Sequence, residues 1–194
     1  MRQGCTAGKF WGHLIGVVEL VPREEREMIR YECGSGELLP RVAGLREKLK
    51  QHHVKCATRF AADMKAASLS RRSKALRAKA GDDGLRVDMA IDRAAGECVG
   101  YCIASVTPDK AGEVDSIYVE SRCRGQGIGT ALMRRAMGWL RKRKAKSIII
   151  GVAAGNEQAL GFYAKLGFYP RAILLAKPRR GHHANANHTR HTRH

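Results

Sequence analysis

The order of strand and helix patterns in the second half of the chain constrains its fold more than any other feature. Leu85 to Ile91, Glu97 to Val106 and Glu113 to Val119 each read as strands, and the links between them, Asp92 to Gly96 and Thr107 to Gly112, are short and turn-like. Links of that length join antiparallel neighbours, because a parallel pair needs a crossover of about a dozen residues or more. A long helix follows, in which Ile128, Leu132, Ala136 and Leu140 repeat every four residues with Met133 and Met137 beside them, and its other face is basic. Ser147 to Val152 then reads as a buried strand, so the crossover helix forces this strand to pair parallel with the third. The expected fold is α/β (α+β): a mixed, mostly antiparallel central sheet with one parallel strand pair and flanking helices.

The remaining elements attach to this frame. Met28 to Cys33 reads as a first short strand, and Gly34-Ser35-Gly36 supplies a turn before a stripe of Leu38, Val42, Leu45 and Leu49. That stripe predicts a helix to about His53, with Pro40 in its first turn. Arg59 to Lys79 reads as a second helical stretch broken near Ser68 to Ser70 and ended by Gly81-Asp82-Asp83-Gly84. After the fourth strand, Asn156 to Lys165 reads as a helix and Ala172 to Ala176 as a last strand. A chain of 194 residues suits one domain, expected over residues 27–177, with residues 1–26 an N-terminal extension and 178–194 a disordered basic, His-rich tail.

Compartment and metal content follow from side-chain types. The six cysteines, Cys5, Cys33, Cys56, Cys98, Cys102 and Cys123, show no CxxC or paired ligand spacing, which points to reduced thiols in a cytoplasmic protein. Cys98 and Cys102, four apart on one strand, are expected on the same face as small hydrophobes. His182, His183, His188, His191 and His194 in the tail lack the spacing of a metal site, so no metal is expected. Phe10 to Val21 resembles a targeting segment, but it contains His13 and Glu19 and is too short to span a membrane, so no membrane partner is expected.

The segment Arg122-Cys123-Arg124-Gly125-Gln126-Gly127-Ile128-Gly129-Thr130 lies between a strand and a helix. Free backbone N–H groups at a helix start, glycines that admit close approach, two arginines and the helix dipole together make a pyrophosphate site. The spacing is wrong for a P-loop, and three antiparallel strands before the loop argue against a dinucleotide fingerprint. A Gly-rich turn of purely structural purpose is the competing explanation.

Arg124-x-x-Gly127-x-Gly129 resembles the acetyl-CoA signature of the GNAT superfamily of N-acetyltransferases, with Val119 at the end of the preceding strand. The run Asn156-Glu157-Gln158-Ala159-Leu160-Gly161-Phe162-Tyr163-Ala164-Lys165-Leu166-Gly167-Phe168 resembles that superfamily's second cofactor motif. The resemblance covers Leu85 to Ala176 well, is weaker over the first helices, and is absent from the first 26 residues and the tail. It implies acetyl-CoA as cosubstrate, held by Arg124, Gly125 and the backbone amides of Gln126, Gly127, Ile128, Gly129 and Thr130. It further implies that the Val119 main chain pairs with the pantetheine arm, that Asn156 bonds to it, and that the strand through Ile149 to Val152 splays from the third to admit it. Tyr163 matches the tyrosine that protonates the departing thiolate in many members; its helical spacing also suits a core residue.

An ammonium acceptor must lose a proton before it can attack a thioester, which for a lysine-like group costs roughly 4 to 5 kcal/mol at neutral pH. Glu113 and Asp115 alternate onto one strand face and are the candidate bases. In histone-type members the base is a Glu eleven residues before the signature, and counting back from Arg124 gives Glu113. A solvated turn acid and a sheet-edge ion-pair partner explain the same residues. Cys123 has no sequence-adjacent base, which favours direct transfer over a covalent cysteine route.

The acceptor implied is a primary amine: a protein N-terminus, a lysine, or a small amine or polyamine. His52 and His53 end the first helix, a region that borders the acceptor site in the superfamily, although the helix dipole alone would favour them there. A net charge of +18, concentrated on the helices and the tail, adds an acidic or ribosome-associated substrate to the candidate partners. A non-catalytic acetyl-CoA-binding or nucleic-acid-associated module is the alternative function, and an oligomer stays open.

Overall fold

The computed structural model describes residues 28–57, 59–81 and 83–177. The expected N-terminal extension, its targeting-like segment and the expected tail, 178–194, lie outside the described residues. Five strands form one sheet in sequence order: β1 (Ile29–Gly34), β2 (Leu85–Asp92), β3 (Cys98–Val106), β4 (Ala111–Val119) and β5 (Ser147–Ile150). β1 to β4 pair antiparallel, and β4 pairs with β5 in parallel, as the connections require. The helices are α1 (Ala43–Cys56), α2 (Ala61–Ala66), α3 (Leu69–Ala80), α4 (Ile128–Lys142) and α5 (Ala159–Ala164).

Local chemistry sets where these elements begin. The first helical stripe is entered through a 3₁₀ turn, Gly36–Leu38, and Pro40 sits in the following turn, so that α1 starts only at Ala43. The break expected near Ser68 is real: the Ser68 hydroxyl accepts from the Arg71 amide at 3.4 Å and caps α3. Turns through Asn156 to Gln158 delay α5 to Ala159.

The sheet buries both faces. Against one lies α4, whose Leu132, Met133, Ala136 and Leu140 are fully buried on Ala90, Val99, Cys102, Ala104 and Val114. Each large side chain so buried contributes about 1.5–3 kcal/mol. Against the other lie Leu39, Val42 and Leu45 of the α1 region, packed on Val87, Met89, Tyr101 and Ile103.

Two β-bulges alter which residues share a face. In β3, Ala90 pairs with Gly100 and Ile91 with Cys98, so Val99 is the extra residue. The parity flips there: Cys102 packs in the α4-side core, whereas Cys98 packs on the α1 side, contrary to the expectation of a shared face. In β4, Ala104 pairs with Val114 and Ile103 with Ser116, which makes Asp115 the extra residue. The strand expected at Ala172 to Ala176 does not form. These residues join no strand of the sheet, and Ile173, Leu174 and Leu175 are 87%, 93% and 88% exposed.

The α4 face also contains a charge cluster. Asp88 of β2 is completely buried, yet it accepts from Arg86 Nε at 2.6 Å, Arg86 Nη2 at 2.9 Å and, across the layer, Arg135 Nε of α4 at 2.9 Å. The Arg135 guanidinium lies over the Tyr31 ring of β1, 5.5 Å from its centroid. Both arginines reach solvent, so the Asp88→Ala variant should fall near the lower end of the cost of breaking a buried pair, about 3 kcal/mol. Urea denaturation measures it, and a loss below about 1 kcal/mol would show the cluster to be structurally dispensable.

Candidate active site

The site begins where β4 loses a neighbour. Its parallel register with β5 runs from Ala111↔Ser147 to Val114↔Ile150 and stops, while β4 continues to Val119 with β3 alone. The parting was expected over Ile149 to Val152, but Ile149 and Ile150 still pair with Glu113 and Val114, and β5 ends at Ile150. A 3₁₀ turn, Ser121–Cys123, then leads into the glycine loop and the start of α4. Gly127 is the residue before the first turn of α4 and has φ +77°, a left-handed conformation that only glycine adopts cheaply. No side chain caps this helix end, so its first amides and the positive end of its dipole are left for a ligand.

A cavity of about 490 Å³ opens at this point, a volume typical of cofactor sites. Its walls are the β4 edge from Ile117 to Val119, the loop and helix start, Asn156, Phe162 and Tyr163, with Leu49 and His52 of α1 opposite. Of the residues singled out in the sequence, Val119, Arg124, Gly125, Gly127, Ile128, Gly129, Thr130, Asn156 and Tyr163 all line it. Gln126 does not, and neither does Glu113 or Asp115.

Several of these groups have partners within the protein. Arg124 donates through Nε to the Val119 carbonyl at 3.0 Å, and its guanidinium stacks over Tyr118 at 5.5 Å. The arginine thus braces the turn between β4 and α4. Asn156 Oδ1 lies 3.1 Å from His52 Nε2, which ties the loop before α5 to α1. Gly155 makes this closure possible, since a Cβ there would stand 2.1 Å from the Cys56 carbonyl oxygen. Tyr163 packs against Phe162 with centroids 5.3 Å apart, and burial holds its phenol pKa above the usual value.

The two carboxylates do share a face, but a cation stands between them. Lys79 Nζ of α3 lies 2.6 Å from Glu113 Oε2 and 2.8 Å from Asp115 Oδ1. Burial disfavours the charged lysine, but the hydrogen bonds it donates to Asp115 and Glu113, with their negative charge, outweigh it and its pKa is raised. The acids differ in setting. The Glu113 side chain is 33% exposed and borders neither cavity, whereas that of Asp115 is 8% exposed and lines a second, smaller cavity. Burial raises the Asp115 pKa despite Lys79 and Ser105, and its Oδ2 makes no well-formed hydrogen bond.

Lys79, Phe162 and the His52–Asn156 contact were not assigned roles from sequence. Phe162 stands inside the second motif, but Lys79 is one lysine among many on basic helices, and only the packing of α3 on the sheet distinguishes it. Among the described residues, no His, Cys, Asp and Glu side chains converge into a metal-sized cluster, and no helix is long and apolar enough to cross a membrane.

Comparison with known proteins supplies the family. Residues 49–168 match the model of the Acetyltransferase (GNAT) family. An uncharacterised N-acetyltransferase of Methanocaldococcus jannaschii is 32% identical over 72 residues, which are 37% of this chain and 32% of that protein. The chain therefore spans about a third of that relative's length. A candidate acetyl transferase of Pyrococcus furiosus shares the fold with a TM-score of 0.56 at 24% identity, covering 77% of this chain and all of the other. An aminoglycoside N-acetyltransferase in complex with CoA has a TM-score of 0.56 at 16% identity, covering 79% of this chain and 95% of its own. With the family model matched over more than half its length, and with the parallel β4–β5 pair and glycine loop in place, the chain belongs to the GNAT acetyltransferase family.

Proposed function

We propose that this protein is an N-acetyltransferase that transfers the acetyl group of acetyl-CoA directly to a primary amine. The observation that carries this reading is the single cavity that unites the uncapped α4 N-terminus, the unpaired edge of β4, Asn156 and Tyr163. Acetyl-CoA supplies an activated thioester. The amides of Gly127 to Thr130 hold its pyrophosphate, and the β4 edge from Ile117 to Val119 aligns its extended arm. Because Arg124 occupies the Val119 carbonyl, the β4 amides and the other carbonyls of that edge do the pairing.

In the reaction the amine nitrogen forms a bond to the acetyl carbon, the carbon–sulfur bond breaks, and the sulfur leaves with the electron pair. Tyr163 gives its phenolic proton to that sulfur; its raised pKa keeps it protonated through the neutral range. The nitrogen loses two protons: the one that leaves the ammonium before attack goes to a carboxylate, directly or through water, and the one released as the carbon–nitrogen bond forms returns through water to the Tyr163 phenolate. Of the two candidate carboxylates we assign Asp115, which is buried, has one oxygen without a well-formed hydrogen bond and lines a cavity that shares Leu49 with the main one. Glu113 then serves to hold Lys79. The basic faces of α1, α3 and α4 steer acceptors of net negative charge, including ribosome-associated ones, toward the protein. A cytoplasmic setting suits the free cysteines Cys33, Cys56, Cys98, Cys102 and Cys123.

Titration calorimetry should detect coenzyme A binding, and Gly127→Val should weaken it by about tenfold or more, because a β-branched residue is strained at φ +77°. In thiol-release assays Tyr163→Phe should lower kcat by about a hundredfold with coenzyme A affinity retained, the loss expected for a general acid. Undetectable coenzyme A binding refutes the central claim, and full kcat in Tyr163→Phe refutes the assigned acid.

The pH profile tests the base. Asp115 must be ionised to accept a proton, and burial raises its pKa, so kcat/KM should rise with pH through a limb lying above the usual aspartate value of about 4. Asp115→Asn should remove that limb, while Glu113→Gln should keep it. If Glu113→Gln abolishes the limb instead, the roles are reversed.

A further inference from the structure

The second cavity is small, about 70 Å³, and walled by α1, the α2–α3 region and the α1-side face of β3 and β4. One water needs about 10–15 Å³ on this measure, so the space suits a group of a few heavy atoms rather than a nucleotide or a sugar. Two polar atoms beside it are buried without a well-formed hydrogen bond: the Tyr101 hydroxyl, on a side chain with no exposed surface and with Ser116 beside it, and Asp115 Oδ2, on a side chain 8% exposed and with Ser105 beside it. Buried polar groups are nearly always well hydrogen-bonded, and two that are poorly satisfied on one small cavity leave bonding capacity for a ligand.

The surrounding charge indicates what that ligand is. Arg46 is 6% exposed and donates to the Ser73 hydroxyl at 2.7 Å, and Arg72 lines the same wall. Among the described residues neither guanidinium forms an ion pair with a carboxylate. Of the other basic groups on the cavity, Lys50 lies 3.7 Å from Glu47, and His53 is kept toward its neutral form by burial, then by His52 and Arg72. Burial pushes the Tyr101 phenol up to about 12 in spite of Ser116 and the two arginines, so it stays protonated. Asp115 is the cavity's one acid, and it shares Lys79 with Glu113. The cavity therefore offers donors and positive charge on one side and a single carboxylate oxygen on the other.

We propose that this cavity binds the anionic group of a small amine substrate, a carboxylate or phosphate held by Arg46, Arg72 and the Tyr101 hydroxyl, with the ammonium turned toward Asp115. As a substrate assignment it rests on the acetyltransferase reading; the anion site itself does not. A neutral amine would leave the buried Arg46 guanidinium without a counter-charge and the Tyr101 hydroxyl poorly satisfied, and the penalty for this falls on the protein's own polar groups.

The test uses the full chain with acceptors matched except for the anion: β-alanine against propylamine, and phosphoethanolamine against ethanolamine. The anionic member of at least one pair should show kcat/KM about tenfold higher or more, and which pair responds distinguishes carboxylate from phosphate. Arg72→Gln, at an exposed position that keeps the fold, should reduce that preference to less than about threefold. Tyr101→Phe should weaken the preference in the same direction while leaving thermal stability unchanged or raised, since it deletes a poorly satisfied buried hydroxyl; a purely structural tyrosine would lose stability instead. Calorimetric binding of the same amines without acetyl-CoA gives an independent arm. If coenzyme A binds and matched amines are acetylated equally, the anion site is refuted and the acetyltransferase reading stands. If coenzyme A does not bind, the acetyltransferase reading fails, and the calorimetry alone decides the site: anion-selective binding lost in Arg72→Gln supports it, and equal or absent binding overturns it.

Discussion

The middle of β4 is the constraint on which the rest of the structure depends. Up to Val114 the strand is hydrogen-bonded on both edges, and beyond it only β3 remains. At the same place Asp115 is inserted as an extra residue. Before the bulge Val114 faces the α4 core; after it Ile117 and Val119 do so, while Tyr118 packs on the α1 side. Strict alternation from Val114 would have directed Ser116 and Tyr118 at α4 and Ile117 and Val119 away from it. One residue thus reconciles two requirements: apolar packing against α4 along the whole strand, and a carboxylate on the opposite face where Lys79 and the second cavity lie.

The position of α4 gives that strand its meaning. Its apolar stripe fixes rotation, but a stripe of Leu, Met and Ala tolerates sliding along the sheet. Asp88 supplies a directional contact, because its carboxylate binds Arg86 within β2 and Arg135 on the helix at once. Buried ion pairs seldom add much net stability over apolar packing, and their best-attested use is to fix register. Here register sets how far the Gly127 end of α4 projects past the β4 edge, and hence whether amides and strand share one cavity.

Much of this was legible in the sequence because it is periodic or local. The four-residue repeat from Ile128 to Leu140 located α4, and short links set the strand order. The glycine loop was readable because unusual backbone needs glycine, and Gly125 and Gly127 both have positive φ. What escaped was non-local. Neither bulge has a composition signal, so Cys98 and Cys102 were assigned to one face when the extra Val99 separates them. Ala172 to Ala176 has the residue types of a strand, but residue types do not supply a partner edge, and those residues stay outside the sheet. Lys79 could not be paired with Glu113 and Asp115 across 34 and 36 residues without knowing where α3 docks.

The charge around Asp115 ties these pieces into one electrostatic unit. A single ammonium on Lys79 faces two carboxylates, so the three groups together carry one net negative charge. The two carboxylates differ in setting: the Glu113 side chain is a third exposed, whereas Asp115 is buried and burial raises its pKa. Proton affinity is therefore raised on the residue that borders the cavity, chiefly by burial and against the pull of Lys79. Lys79 is the group that offsets the negative charge of Asp115, whereas the like charge of Glu113 acts with burial to raise the Asp115 pKa. Counting residues back from the glycine signature points to Glu113, whereas the bulge and the burial of the strand distinguish Asp115, and the proposal of Asp115 as base rests on that difference.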